Sequence, residues 1–210
     1  MAIASAAYAL AGGTITLVGW MAEIPRLTDW NHDGISMFPN AALCAVLSSF
    51  AVLRANTGDW PARLLGAVVL LVGGLTALEH LSGFNLGIDT VLFEREWGQA
   101  AAAAPMRMGP PASLSFSFIG AALVLLTFGA PARQAGALLA VAAVAIATLS
   151  LTGYLYGATH LYTIPWLSGI ALQTATIILM PAHPRRNRCA RSSRAALPEN
   201  SRAAGCRCSR

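Results

Sequence analysis

The sequence predicts an all-α membrane protein: a six-transmembrane-helix bundle built from three parallel-repeat hairpins, with a disordered C-terminal tail. Of 210 residues 56% are apolar and only 11% charged, too little polar surface to cover a water-soluble globule. Six apolar stretches approach the roughly 20 residues that a helix needs to cross a bilayer core about 30 Å thick. Proline stands at most junctions between them, at Pro39, Pro61, Pro110, Pro111, Pro131, Pro165, Pro181 and Pro184. It suits a first helical turn, where the missing amide proton has no intrahelical partner.

The expected spans are 3–21, 38–54, 61–82, 112–130, 132–154 and 163–181. The first resembles a signal peptide in its alanine-rich apolarity. It lacks a basic leading segment and a clear cleavage site, and is read as a retained span. The second and fourth begin after Met37 and Met108, the third and fifth at a Pro-Ala-Arg motif, and the sixth contains Trp166 near its start. Beyond them, "PAHPRRNRCARSSRAALPENSRAAGCRCSR" abandons apolar periodicity. The chain divides accordingly into a membrane domain, 1–184, and an arginine-rich cytoplasmic tail, 185–210.

Arginine placement sets the orientation. With both termini cytoplasmic, eleven arginines lie inside and only Arg26, Arg95 and Arg107 outside. The expected location is a bacterial inner membrane. Arg185, Arg186 and Arg188 abut the last span, where they could neutralise lipid headgroups at about 1 kcal/mol each. Plain stop-transfer anchoring is the alternative for the same residues.

An internal repeat organises the middle of the chain. "PARLLGAVVLLVGGLTALEHLSG" (61–83) aligns without gaps on "PARQAGALLAVAAVAIATLSLTG" (131–153), pairing Gly66 with Gly136 and Gly83 with Gly153. The returning helices echo each other too, from Met37 and Met108 and more faintly from Trp166. The hairpins repeat in one sense, unlike the inverted repeats of many transporters.

The returning-helix pattern of Met, Pro or Asn, then Ala-Leu, with "LTALEHLSGFNLGIDTVLF" and "LTGYLYGATHLY", resembles the multi-span N-terminal region of bacterial sensor proteins. Most of the specificity lies in Leu75 to Phe93. In that family such helices precede PAS modules, a histidine kinase core or a GGDEF-type diguanylate cyclase. The resemblance implies a sensory input domain and dimerisation. Here no cytoplasmic signalling module follows the sixth span, and the third copy has Trp166 in place of methionine.

Glu79 and His80 close the third span, whereas their repeat equivalents are Leu149 and Ser150. A need shared by both hairpins therefore does not explain them. Successive helical positions point about 100° apart, so one is expected to face the bundle and the other the interface. With Asp89 and His160 they are the candidates for sensing protons or a ligand, because histidine is the residue type that changes charge near neutrality. Lying at headgroup level is the bland alternative. Asp89 is more simply read as the cap of a short interfacial helix, "TVLFEREWG". Glu94, Arg95 and Glu96 read as solvated charges, and the tryptophans at span ends, Trp97 among them, as an aromatic belt.

Other chemistry finds no support. "EIPRLTDWNHDG" lacks the length and terminal glutamate of a calcium loop. Cys206-x-Cys208 has no histidine at ligand spacing. No nucleophile triad, phosphate loop or catalytic carboxylate pair is legible, so neither an enzyme nor a cofactor is expected. Lipid is the expected partner and nucleic acid is not. Gly66, Gly73, Gly74, Gly120, Gly136 and Gly153 are the expected points of close helix packing. The rival reading is a small transporter or permease subunit, for which the spans offer only Ser48, Ser49, Thr127, Gln173 and Thr174 as polar lining.

Overall fold

A computed structural model describes residues 2–32, 34–54, 59–100, 102–155 and 171–178. Among these the chain is all-helical: α1 (Ala2–Met21), α2 (Pro25–Thr28), α3 (Pro39–Arg54), α4 (Asp59–Ser82), α5 (Pro110–Leu125), α6 (Ala130–Leu155) and α7 (Leu172–Ile178). Three helices are long and apolar enough to cross a membrane, over Ile3–Met21, Trp60–Ser82 and Ala130–Gly153. The 16-residue helices α3 and α5 are shorter, about 24 Å at 1.5 Å per residue. His160, Trp166, Arg185, Arg186, Arg188, the tail and most of the expected sixth span lie outside the described residues.

The short helices form the centre. They bury small and polar residues (Ala41, Ala42, Ala45, Ser48 and Ser49 on α3; Ala112, Ser113, Ser115 and Gly120 on α5), while α1, α4 and α6 expose leucine, isoleucine and valine outward. Three of the buried hydroxyls bond within their own helix, Ser48 and Ser49 donating to the carbonyl of Ala45 and Ser113 to that of Pro110, whereas Ser115 Oγ has no partner. In a medium without water, hydrogen bonds within one helix satisfy such groups at little cost.

The α4–α5 pair is set by glycine. A Cβ on Gly120 would lie 2.3 Å from the backbone nitrogen of Leu70, one on Gly73 2.7 Å from that of Ser117, and one on Gly66 2.8 Å from Leu123 Cβ. The positions climb α4 by one turn at a time while descending α5, so the two backbones touch along several turns. Gly136 does the same for α6, its missing Cβ 3.1 Å from the carbonyl oxygen of Ala122. Gly74 and Gly153 differ: a Cβ on Gly74 would meet only Ser117 Oγ at 4.0 Å, and one on Gly153 nothing within 4 Å. Gly74 sits 100° around α4 from Gly73, and so off the α5 contact line.

One end of the bundle carries the short turn between α5 and α6. There Arg63 donates to Thr127 Oγ1 at 3.1 Å with its guanidinium 4.5 Å above the Phe128 ring, and Arg133 donates to the Phe128 carbonyl. The other end carries the long segments 22–38 and 83–109, which fold over the helices as a cap. They meet in one antiparallel bridge, Ile35 with Gln99, flanked by hydrogen bonds from Ser36 N to Gly98 O and Ala100 N to Gly34 O. Under it Trp97 stacks on Trp20 at 4.1 Å and 11°, and the Trp20 indole donates to the Met37 carbonyl. Trp97 is thus packed into the cap against α1.

Substituting Gly120→Ala should cost about 1–3 kcal/mol through forced separation of α4 and α5. Gly74→Ala should be neutral or slightly stabilising, since a helix-interior glycine costs about 1 kcal/mol relative to alanine. Thermal unfolding of both variants in detergent checks the contrast.

Candidate functional site

The site forms where α4 ends and the cap begins. Gly83, at φ +72°, stops the helix in the left-handed conformation that glycine adopts without penalty, and its amide donates to the Glu79 carbonyl. The chain then doubles back, so that the Leu86 amide donates to Glu79 Oε1 at 2.6 Å. Glu79 is thereby turned inward and is fully buried, while its repeat equivalent Leu149 is exposed.

A second turn brings Asp89 to the same place. Gly87 is also left-handed, at φ +74°, and its amide donates to Asn85 Oδ1. Two residues on, the Asp89 carboxylate accepts from Arg107 Nε at 2.7 Å. The Ile88 carbonyl accepts from Asn40 Nδ2, which ties the turn to the start of α3.

Arg107 arrives from the α5 side. The preceding residue, Met106, is buried and left-handed at φ +58°, a conformation costly for a side chain with a Cβ. Its amide is held by Gln99 Oε1 at 3.1 Å. Arg107 Nη2 then lies 3.4 Å from Glu79 Oε1. One residue further, the Met108 carbonyl accepts from His80 Nε2 at 2.8 Å; a carbonyl has no proton to give, so Nε2 carries the hydrogen.

Two carboxylates therefore share one guanidinium in a buried setting, which leaves one negative charge in excess if both are ionised. Taking each ion out of water costs several kcal/mol, and the mutual attraction offsets that only with good geometry. The geometry is unequal, tight to Asp89 at 2.7 Å and loose to Glu79 at 3.4 Å. Glu79 Oε2, Asp89 Oδ1 and Arg107 Nη2 are buried without a hydrogen-bond partner. Through this cluster Arg107 is tied to the cap at Asp89 and lies beside the end of α4 at Glu79.

Several expectations change. Residues 90–98 form no helix, and Asp89 caps nothing: its carboxylate is committed to Arg107. Glu79 is fully buried and His80 half-buried, and the loop that folds back over the helix end gives each a protein partner. Asp29 closes its own loop by accepting from the amides of His32 and Gly34. Among the described residues no group of three His, Cys, Asp or Glu side chains is placed to hold a metal.

Arg107 is the residue that sequence reasoning missed. It counted only as an outer arginine in the charge tally. Its one local signal is a lone basic residue immediately before the Met108 start of a returning helix, among loop acids. No family model, curated protein or solved structure matches the chain.

Arg107→Met should destabilise the fold by about 3–5 kcal/mol, because it strands two buried carboxylates. Adding Glu79→Gln and Asp89→Asn in the same chain should recover much of that loss. Chemical unfolding in detergent of the single and triple variants measures both.

Proposed function

We propose that the chain is the membrane-embedded input domain of a bacterial signal-transduction protein, such as a sensor histidine kinase. In this reading six helices span the inner membrane, both termini are cytoplasmic and the cap faces outward. The observation that carries it is the Glu79–Arg107–Asp89 cluster, in which a spanning helix, the cap and the lead-in to α5 meet through three buried charges. A sensor needs an element with two arrangements of similar energy that a stimulus can bias. An unequal sharing of one guanidinium between two carboxylates is such an element, and α4 and α5 in close backbone contact would carry a change in it across the membrane. Homodimerisation and the arginine contacts to lipid belong to the same reading.

The polar groups that a transporter would use favour the input domain over its rival. Ser48 and Ser49 bond within their own helix, Thr127 accepts from Arg63, and the Gln173 amide donates to the Thr28 carbonyl. The serines are spent on their own helix and Thr127 and Gln173 on contacts between elements, so these groups have protein partners and are not lined up along a path.

Fusing a kinase core after Pro184 tests the proposal through phosphorylation while external pH is varied. Asp89→Asn and His80→Ala should each shift output by at least about fivefold, the lower end of ordinary coupling energies. Output indifferent to pH and to both substitutions would sink it. Solute uptake by vesicles holding the unfused protein would favour the transporter.

A further inference from the structure

The outward face of α4 is an unbroken apolar stripe, Trp60, Leu64, Val68, Leu71, Leu75, Leu78 and Leu81, spaced at three and four residues. It does not stop with the helix. Leu81 is 79% exposed, Phe84 74%, Leu86 52% and Val91 75%, so the stripe runs on into the cap. From Leu81 to Phe93 the only ionisable residue is Asp89, and it is buried against Arg107. A loop standing in water would not present four large apolar side chains and no charge.

Four amides in the first turn of this loop are paired within the chain. Irregular backbone is excluded from lipid because its amides go unpaired. Here the Gly83 amide donates to the Glu79 carbonyl, the Phe84 amide to Ser82 Oγ, the Leu86 amide to Glu79 Oε1 and the Gly87 amide to Asn85 Oδ1. Short-range side-chain acceptors replace the solvent that such a turn normally uses.

We infer that residues 81–92 are a lipid-contacting wedge, seated at the boundary between headgroups and acyl chains of the leaflet on the cap side. The partner is the apolar part of the bilayer itself: the stripe is continuous with the lipid-facing side of α4, and the exposed loop carries no charge for a headgroup or an acidic peptide to recognise. The wedge also holds two parts of the buried cluster, the Leu86 amide on Glu79 and the Asp89 carboxylate on Arg107. Lipid packing around Phe84 and Val91 therefore acts on the same charges through a rigid turn a few residues long. This deepens the input-domain reading by naming where a stimulus enters, and it rests on that reading only for the consequence, not for the contact.

The test is a depth measurement on the full chain in phosphatidylcholine–phosphatidylglycerol vesicles, with Cys44→Ala and the tail cysteines replaced by serine. A nitroxide is attached at Phe84→Cys or Val91→Cys, with Glu96→Cys as the water reference and Leu149→Cys as the lipid reference. Collisions with oxygen, which partitions into lipid, are compared with those of a water-soluble nickel chelate. The oxygen-to-nickel ratio at 84 and 91 should exceed that at 96 by about fivefold or more and approach that at 149. A ratio at 84 and 91 equal to that at 96 overturns the wedge. Should either labelled variant fail to accumulate, Leu86→Cys reads the same surface. Because no output domain takes part, the wedge and the signalling role can fail separately.

Discussion

The backbone contact between α4 and α5 sets the register on which the rest of the molecule depends. Gly120 lies against the Leu70 backbone and Gly73 against that of Ser117, positions where a Cβ would fall within 2.7 Å of a neighbouring atom. Neither helix can slide by a residue without placing a side chain where no space exists. That register puts the start of α5 level with the end of α4. Arg107 and Met108, just ahead of α5, consequently meet Glu79 and His80 and not a lipid.

Burying three charges is expensive, and the structure spreads the expense over several segments. Two left-handed glycines, Gly83 and Gly87, make the turns that deliver Asp89, and a left-handed Met106 precedes Arg107. Asn40 and Gln99 then fix the loops from α3 and from within the cap. Strained or polar features of this kind persist only where surrounding structure over-determines them, and they cluster at sites with a function. The grip on the two carboxylates is unequal, 2.7 Å to Asp89 and 3.4 Å to Glu79.

The two ends of the bundle differ in character. At the turn end, Arg63 and Arg133 use an exposed carbonyl, a hydroxyl and an aromatic face. At the cap end, the 22–38 and 83–109 segments bury tryptophan, methionine and ions together. The repeat relation between α4 and α6 makes the asymmetry plain. Gly66 and Gly136 both approach α5, whereas Glu79 is interior and Leu149 faces out.

Sequence alone determined the helical class, the bounds of α1, α3, α4 and α6 and the start of α5 to within about two residues, and four of the close-packing glycines, whereas α5 stops at Leu125 and not at 130. These follow from local rules: a lipid-length apolar run must satisfy its own backbone, proline opens a helix, and glycine admits a neighbour. Glu79 stood out because a charge at the end of an apolar run is conspicuous. Its partner did not, since Arg107 is 28 residues away and nothing in its local pattern separates a buried arginine from a solvated one. The same holds for Asp89, where turn chemistry was read as a helix cap, and for Trp97, whose stacking partner Trp20 lies on α1. Only tertiary structure decides which long-range partner meets a charged or aromatic side chain, because that choice belongs to helix register and loop closure and leaves no periodic trace in the chain.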